Sequence, residues 1–128
     1  ESKEISYVKD FKINIEEYAA ADGIEYFISA DSSDDKTLYG FCRLRLKMES
    51  PIAPAMIREL HVYGELMPVG GGKKTQHQGL GKILLLEAEA IAKKAGAKKI
   101  AVISGVGARG YYRKTGYKLK DSYMIKGI

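Results

Sequence analysis

Two glycines stand at the start of a long apolar-periodic run in the segment KTQHQGLGKILLLEAEAIAKKAG, residues 74–96. The first N–H groups of a helix have no intrahelical partner, and the helix dipole favours anions beside them. Glycine at positions 79 and 81 removes the β-carbons that would hold a phosphate away from those donors. The segment therefore predicts a phosphate cradle. The alternative is a flexible loop followed by a helix that must pack closely on a sheet.

The spacing of these glycines excludes two common nucleotide-binding loops. The Walker A pattern GxxxxGK[ST] is absent from the chain. The two glycines are two residues apart, which does not match the dinucleotide fingerprint GxGxxG. Any phosphate cradle here must therefore be of another kind.

Positive charge concentrates around the glycine stretch. Residues 1–64 carry a net charge of −4 and residues 65–128 a net charge of +9, within a total of +5. The basic residues closest to the glycines or to the second predicted helix are Lys73, Lys74, Lys82, Arg109, Arg113 and Lys114. This excess favours an anionic partner for the C-terminal half, although a solvated helix face explains KKAGAKK equally simply.

Hydrophobic periodicity predicts the elements that position these residues. Strands are predicted at 24–31, 38–48, 55–64, 98–104 and 117–128. Helical spacing predicts a helix over 79–95 that ends at Gly96, and a short helix over 107–116. The segment EEYAAADG, residues 16–23, is typical of a short helical or turn segment. This order predicts an α/β (α+β mixed) fold in which helices pack on a mixed sheet.

Length and composition are those of one domain. The chain has 128 residues, of which 45% are hydrophobic and 29% charged. No apolar run reaches membrane-spanning length and the single cysteine, Cys42, excludes an intrachain disulfide, so we expect a cytoplasmic protein without membrane contact. The chain begins ESKEISYVKD without an initiator Met, from which we expect a piece of a larger protein. We assign residues 1–23 to a connecting segment and residues 24–128 to the domain.

The glycine segment has a specific family resemblance. Gln76-His77-Gln78-Gly79-Leu80-Gly81 matches the Gln/Arg-x-x-Gly-x-Gly/Ala motif with which GNAT acetyltransferases bind the pyrophosphate of acetyl-CoA at a helix N-terminus. The later segment YYRKTGY resembles the Phe-Tyr-x-Lys-x-Gly-Phe segment near the end of many GNAT domains. The resemblance covers about residues 24–125 and implies a GNAT fold: a mostly antiparallel mixed sheet with splayed central parallel strands and helices packed on it.

A narrower resemblance runs almost continuously from residue 56 to residue 126. IRELHVYG, QHQGLG, KKIAVISGVGARGYYRKTGY and YMIKGI are similar to the acetyltransferase domain of the catalytic subunit of Elongator, a tRNA wobble-uridine acetyltransferase family. This implies a domain that supplies the acetyl group of acetyl-CoA for carboxymethyl-type modification of the wobble uridine. It also implies tRNA and Elongator-type subunits as partners.

The same resemblance implies a further domain in the full-length protein. That domain, N-terminal to this one, would use radical S-adenosylmethionine (SAM) chemistry and carry an iron–sulfur cluster. A single cysteine cannot ligate such a cluster, so we expect the cluster and SAM only in the missing domain and no metal site in this chain.

The resemblance also implies where acetyl-CoA would bind. In GNAT folds the strands corresponding to 55–64 and 98–104 splay apart, and the pantetheine arm lies in the gap with its amides paired to strand backbone. The residues assigned to cofactor binding on this basis are Leu60, His61, Val62, Gln76, Gln78, Gly79, Leu80, Gly81, Lys82, Tyr111 and Tyr112.

Three residues are candidates for catalysis by the same resemblance: Glu59, His61 and Tyr112. The glutamate at the place of Glu59 deprotonates the amine in some GNAT lysine acetyltransferases, but an ion pair with an arginine or lysine is equally open. His61 is a second candidate base, against a packed or hydrogen-bonded strand histidine. Tyr112 takes the place of the tyrosine that protonates the CoA thiolate in many GNAT enzymes.

The basic residues have two groups of candidate partners. Lys73, Lys74, Arg109, Arg113 and Lys114 would contact a tRNA backbone or, for the last three, the CoA phosphates. On the strand at 38–48, Arg43, Arg45 and Lys47 share a face, and Arg58 follows on the next strand. These four could contact RNA, another domain or water, and we favour another domain.

One departure from the GNAT pattern leaves the function open. GNAT domains usually carry two N-terminal helices that shape the acceptor site, and residues 1–23 leave little room for them. Two alternatives therefore stand beside tRNA modification. One is a protein-lysine, histone or small-amine N-acetyltransferase, and the other a non-catalytic acyl-CoA-binding or RNA-binding module.

Overall fold

The computed structural model describes residues 6–7, 11–63, 75–76 and 79–128. Its elements are β1 (Ser6–Tyr7), β2 (Phe11–Ala20), β3 (Gly23–Ser32), β4 (Leu38–Leu46), β5 (Ala55–Val62), β6 (Thr75–Gln76), α1 (Leu80–Lys94), β7 (Lys99–Val102), a 3₁₀ turn (Val106–Ala108), α2 (Arg109–Lys114), β8 (Lys118–Lys120) and β9 (Tyr123–Gly127). No helix within these ranges is long and apolar enough to cross a membrane.

Seven strands form one mixed sheet in the order β2-β3-β4-β5-β7-β9-β8. Neighbouring strands in it are antiparallel except β5 and β7, which run parallel. A separate parallel pair joins β1 to β6. The predicted mixed, mostly antiparallel sheet with a central parallel pair is confirmed.

The core lies between α1 and one face of the sheet, which we call the inner face. Ile28, Leu44 and Ile57 of β3, β4 and β5 are fully buried there, and Leu84 and Leu85 of α1 pack against them. Burying each such side chain contributes about 1.5–3 kcal/mol. The predicted ends of α1 are confirmed: its last turn carries two lysines, and Gly96 follows with a φ of 96° that favours glycine.

The face of β3, β4 and β5 that points away from α1 is called the outer face. Along β4 the side chains alternate between fully buried residues on the inner face and half-exposed residues on the outer face. This confirms the predicted strand with one wet face. Residues directly opposite one another on neighbouring strands lie on the same face of the sheet. The register against β4 therefore shows on which face each paired residue of β3 and β5 lies.

The prediction of a helical or turn segment over residues 16–23 is correct only for the turn at Ala21 and Asp22. Residues 16–20 are strand, because β2 continues through Ala20 and pairs with β3 from Phe11 opposite Ser32 to Ala20 opposite Gly23. Ladder hydrogen bonds outweigh the weak helical preference of the alanines. The sheet therefore extends N-terminal to residue 24, into the segment assigned as connecting.

The prediction of one terminal strand over residues 117–128 is also wrong. The segment folds into the hairpin β8–β9, with Lys120 opposite Tyr123. Asp121 and Ser122 form the two-residue connection with φ values of 49° and 73°. Two positive φ angles are those of a type I′ turn, which Asn-Gly signals more clearly than Asp-Ser does.

A buried polar cluster joins α1 to the C-terminal strands. The Tyr117 hydroxyl donates to Glu89 Oε2 at 2.6 Å, and Lys126 Nζ lies 3.2 Å from Glu89 Oε1. Lys126 Nζ also lies 5.5 Å from the centre of the Tyr117 ring. The ammonium and the phenol therefore stabilise the charge of Glu89, which little water reaches.

The strands β5 and β7 separate after a short parallel contact. They pair only from Ala55 opposite Ile100 to Ile57 opposite Val102, and the Ile103 N–H closes the contact by donating to Ile57 O at 3.1 Å. Since β5 continues to Val62, its second half borders a gap. The predicted splay of these two strands is confirmed.

Candidate functional site

A cavity of about 570 Å³ lies at the end of this gap. Its walls come from β5, from the first turn of α1 and from α2. The residues that line it are Leu60, Val62, Gly79, Gly81, Lys82, Ala108, Tyr111 and Tyr112. Seven of these eight were predicted as cofactor-binding residues, so the structure brings most of the predicted set together in one place.

The N-terminus of α1 opens onto the cavity. The first intrahelical bond runs from the Ile83 N–H to Gly79 O at 2.9 Å, so the N–H groups of Leu80, Gly81 and Lys82 precede the ladder. Among the described residues no side chain caps this end, and no acidic residue lies in the first turn. The exposed Lys82 adds a positive charge. Dipole, free donors and lysine together favour an anion here.

The two glycines of this helix end do different things. Gly79 has a φ of 79°, a conformation that L side chains rarely adopt, and a β-carbon there would meet nothing within 4 Å. At Gly81 a β-carbon would lie 3.0 Å from the Tyr111 hydroxyl and 3.5 Å from Val62 Cγ2. Gly79 thus sets the turn into the helix, and Gly81 keeps the narrow side of the cavity open.

The backbone of β5 points into the gap at alternate residues. The Tyr63 N–H donates to Tyr39 O at 3.0 Å, and His61 lies opposite Phe41 in the same register. In an antiparallel ladder these are the hydrogen-bonded pairs, so the backbone groups of Leu60 and Val62 point away from β4. The expectation that the His61 main chain also faces the pantetheine arm is therefore wrong, because its groups face β4.

A one-residue bulge decides which side chains of β5 face the cavity. Leu44 lies opposite Ile57 and Arg43 opposite Glu59, so Arg58 is the extra residue. Without it, strict alternation from the buried Ile57 would direct Glu59 inward and Leu60 outward. With it, Leu60 and Val62 line the cavity while Glu59 and His61 lie on the outer face.

The two adjacent tyrosines of α2 have different environments. Tyr112 is 6% exposed, whereas Tyr111 is 41% exposed, and their rings meet edge to face with centroids 5.1 Å apart. Burial raises the pKa of the Tyr112 hydroxyl to about 12, with a smaller contribution from the nearby Cys42. Burial also raises the pKa of Tyr111. Both phenols are therefore neutral hydrogen-bond donors at neutral pH.

Glu59 and His61 lie away from the cavity, on the outer face. Glu59 Oε1 is 3.7 Å from Arg43 Nε, and the Glu59 side chain is 57% exposed. His61 is exposed and contacts two rings, with its centroid 4.5 Å from that of Tyr63 and 5.9 Å from that of Phe41. The ion pair and the packed histidine, which the sequence left open beside catalytic roles, are the arrangements observed.

The remaining predicted residues are placed as follows. Gln78, Lys73 and Lys74 lie outside the described residues, and only the backbone of Gln76 is described, in β6. On α2, Arg113 and Lys114 are exposed and do not line the cavity. Arg109 Nε, by contrast, is buried without a hydrogen-bond partner in the described part of the chain.

Sequence reasoning missed two residues of this region. Ala108 lines the cavity just before α2, and its small size in GVGARGYY was the available signal. Cys42 is fully buried opposite Leu60. Burial raises the pKa of the Cys42 thiol to about 12, so it is a neutral packing group behind the cavity wall.

Comparison with known proteins gives concordant matches. The model of the acetyltransferase (GNAT) family matches residues 3–117. Elongator complex protein 3 of Bos taurus is 46% identical over 121 residues, which are 88% of this chain and 22% of that protein. The tRNA uridine(34) acetyltransferase of Dehalococcoides mccartyi is 44% identical over 123 residues, which are 88% of this chain and 27% of that protein.

A solved structure agrees in fold and sequence. The archaeal Methanocaldococcus infernus Elp3, with an N-terminal deletion, superposes with a TM-score of 0.78 at 36% identity. The match covers 94% of this chain and 30% of that one. The chain thus spans between a fifth and a third of the length of these relatives.

Proposed function

This chain belongs to the acetyltransferase (GNAT) family, and we propose that it binds acetyl-CoA in the cavity between β5, α1 and α2 as the acetyl-transfer domain of a tRNA-modifying enzyme. The observation that carries the proposal is the convergence of a free helix N-terminus and an unpaired strand edge on one cavity. The modified base would be the tRNA wobble uridine, since the Dehalococcoides mccartyi relative is a tRNA uridine(34) acetyltransferase.

Each part of the cavity suits one part of acetyl-CoA. The N–H groups of Leu80 and Gly81 and the Lys82 ammonium suit the pyrophosphate. The backbone groups of Leu60 and Val62 suit the amides of the pantetheine arm, as in the addition of a strand to a sheet edge. Gln76 and Gln78 belong to the same motif and are proposed as further contacts to the pyrophosphate.

Tyr112 suits a donor role toward the thioester sulfur. Burial raises the pKa of Tyr112 to about 12, which makes its hydroxyl a weaker acid than a free thiol, whose pKa is about 8.5. We therefore propose that Tyr112 stabilises the developing thiolate by donating a hydrogen bond, and that solvent supplies the proton. Tyr111 would line the entrance beside Gly81.

The partners follow from the relatives and are proposals. The relatives are several times longer than this chain, which leaves room for a radical SAM domain that would hold the iron–sulfur cluster and SAM. We also propose Elongator-type subunits as partners and the cytoplasm as the compartment. The exposed Arg113 and Lys114, with Arg109, are proposed as tRNA backbone contacts, and so are Lys73 and Lys74 from their charge in the sequence.

Titration calorimetry tests the proposal. We expect acetyl-CoA, CoA and desulfo-CoA to bind with similar affinity, because the contacts to the pyrophosphate and the pantetheine arm are common to all three. We expect acetyl-CoA hydrolysis to rise when tRNA is added. Acetylation of free amines without RNA would instead indicate an amine N-acetyltransferase, and binding without turnover in either condition a non-catalytic module. Absence of binding would contradict the site itself.

A further inference from the structure

The outer face of β4 and β5 carries rings and cations that the cavity does not use. We call this set the outer strip, and it has an aromatic end and a cationic end. The aromatic end is Phe27, Phe41, His61 and Tyr63, and the cationic end is Arg43, Arg45, Lys47 and Arg58. From Phe41 to Lys47 it spans about 20 Å along β4, at about 3.4 Å for each residue.

The rings of the aromatic end form a continuous run. The Phe27 and Phe41 centroids are 5.2 Å apart and those of Phe41 and His61 5.9 Å, in both cases with an interplanar angle of 27°. Tyr63 ends the run edge to face on His61. Tyr63 is 42% exposed and His61 is exposed as well. A flat ligand can therefore stack on this end without displacing any core residue.

The cationic end surrounds a shallow cavity of about 180 Å³. Arg45, Lys47 and Arg58 form its polar walls, and Met56 and Ile103 contribute apolar surface. Arg58 lies 3.8 Å from Glu25, a longer contact than the 2.6 Å bond that Arg45 makes to the same carboxylate.

Arg58 and Arg43 are the two cations of the strip that can turn to a new partner. Arg43 lies 3.7 Å from Glu59, which, like the Arg58 contact, is beyond a charge-assisted hydrogen bond. The side chains of Arg43 and Arg58 are 43% and 51% exposed. Both guanidinium groups are therefore available to an anionic ligand.

We propose that the outer strip binds a short run of unpaired nucleotides of an RNA acceptor, with one base stacked on His61 and Tyr63 and the flanking phosphates on Arg43 and Arg58. Aromatic stacking combined with backbone neutralisation is the way proteins recognise single-stranded RNA. Arginine and aromatic residues are also enriched in protein interfaces, so the contact with another domain that the sequence favoured is the competing occupant, and absence of RNA binding would favour it.

The place of the strip relative to the cavity makes the proposal specific. The His61 and Tyr63 side chains project from the same strand as Leu60 and Val62, on its opposite face. A base held there borders the gap between β5 and β7 from one side, while the cavity borders it from the other. The inference rests on the proposed acetyl transfer to RNA and assigns the acceptor to the outer face.

Fluorescence anisotropy with a short RNA hairpin whose unpaired loop contains uridine tests the inference. We expect Tyr63→Ala to weaken binding about tenfold, since loss of one stacked base is worth about 1–3 kcal/mol. We expect Arg58→Ala to weaken it and to lower the slope of log affinity against log salt by about one. Tyr18→Ala and Lys12→Ala are the matched controls, because Tyr18 is 44% exposed and Lys12 43% exposed on β2.

Two outcomes would overturn the inference. Equal losses in the strip variants and their controls would mean that the strip has no special part in binding. Loss of binding in Arg113→Ala and Lys114→Ala, with the strip variants unaffected, would place the RNA on α2. Acetyl-CoA calorimetry on the unsubstituted chain separates failure of the strip from failure of the proposed function: acetyl-CoA binding without any RNA binding would remove the strip as an RNA site and leave the cavity standing.

Discussion

The two faces of β5 carry different chemistry on one strand. Leu60 and Val62 contribute apolar side chains, and backbone groups that point away from β4, to a cavity that ends at the N-terminus of α1. Glu59 and His61 lie on the exposed outer face, where ion pairs and rings dominate. This difference teaches that one strand can present a cavity wall on one face and a surface of rings and ion pairs on the other, provided that a bulge sets which side chains face each way.

The separation also explains why few side chains define the cavity and many define the outer face. The cavity depends on backbone donors, whose position is fixed by the strand and the helix whatever the side chains are. The outer face depends on side-chain identity and exposure. We therefore expect a single substitution at the glycines that begin α1 to cause a large loss of acetyl-CoA affinity, and each single substitution along the outer strip to cause a smaller loss of RNA affinity.

The largest expected effect is at the helix terminus. Gly81→Glu would place a carboxylate among the N–H groups proposed to bind the pyrophosphate, and its β-carbon would lie 3.0 Å from the Tyr111 hydroxyl. We expect acetyl-CoA affinity to fall at least about a hundredfold, because like-charge repulsion adds to the loss of the anion-binding donors. Calorimetry measures the loss.

Ala90→Glu is the control for that substitution, since it adds the same side chain at an exposed position on the same helix. Thermal unfolding should show both variants folded. If the affinity of Gly81→Glu matched that of Ala90→Glu, the anion site would have to be placed elsewhere and the contrast between the two faces would fail.

The next effect separates binding from chemistry on the cavity side. Tyr112→Phe should leave acetyl-CoA affinity within about threefold and slow thioester cleavage about ten- to a hundredfold, as for removal of one hydrogen bond made mainly in the transition state. Since burial raises the pKa of Tyr112 to about 12, the ratio of wild-type to variant rates should stay constant from neutral pH to about pH 10. Thiol release under tRNA-stimulated conditions measures it.

A rate equal to the wild type in Tyr112→Phe would remove this donor from the mechanism. If the ratio of wild-type to variant rates already decreased at pH values well under 10, Tyr112 would act in an ionised form instead. Tyr18→Phe, on the exposed edge strand, is the control for loss of a hydroxyl.

Alkaline pH tests how much the buried Tyr117 contributes to stability compared with an exposed tyrosine. Burial, followed by the hydrogen bond to Glu89, raises the pKa of Tyr117 above its ordinary value of about 10. Below about pH 10 both folded and unfolded chains keep this proton, and above it only the folded chain does. The free energy of unfolding should therefore fall above pH 10, by about 1.4 kcal/mol per pH unit for each such tyrosine.

Urea denaturation from pH 8.5 to 11 tests this expectation, with Tyr117→Phe beside Tyr18→Phe. The first variant should flatten the decline, and the second, which removes a hydroxyl that is 44% exposed, should leave it unchanged. The same slope in the wild type and Tyr117→Phe would show that Tyr117 does not carry the effect.

The sequence predicted what depends on local pattern and missed what depends on pairing. The α1 helix, Gly96, the wet face of β4 and the glycine cradle follow from periodicity and backbone chemistry. The helical or turn prediction for residues 16–23 failed over residues 16–20 because a long antiparallel ladder outweighs local propensity. The terminal hairpin was missed because Asp121-Ser122 is a weak turn signal.

The sequence identified most of the residues that line the cavity, but it did not show which face of β5 each side chain occupies. The chain shows that Glu59, His61 and Tyr63 alternate with Leu60 and Val62, yet alternation alone does not say which set faces the helix. The Arg58 bulge makes that choice, and its register against β4 is a long-range property. Alternation therefore puts the side chains of Glu59 and His61 on one face, but only the fold shows that this face is not the one that lines the cavity.

Glu59→Gln should have the smallest effect and is the most direct test of the two-face division. Its carboxylate is 57% exposed and 3.7 Å from Arg43, so removing the charge should change the free energy of unfolding by less than about 1 kcal/mol. Acetyl-CoA affinity should change less than about twofold, because β5 lies between this side chain and the cavity. A tenfold loss of acetyl-CoA affinity, with Arg43→Gln as the partner control, would mean that Glu59 reaches the donor site and that the bulge does not divide the strand as described.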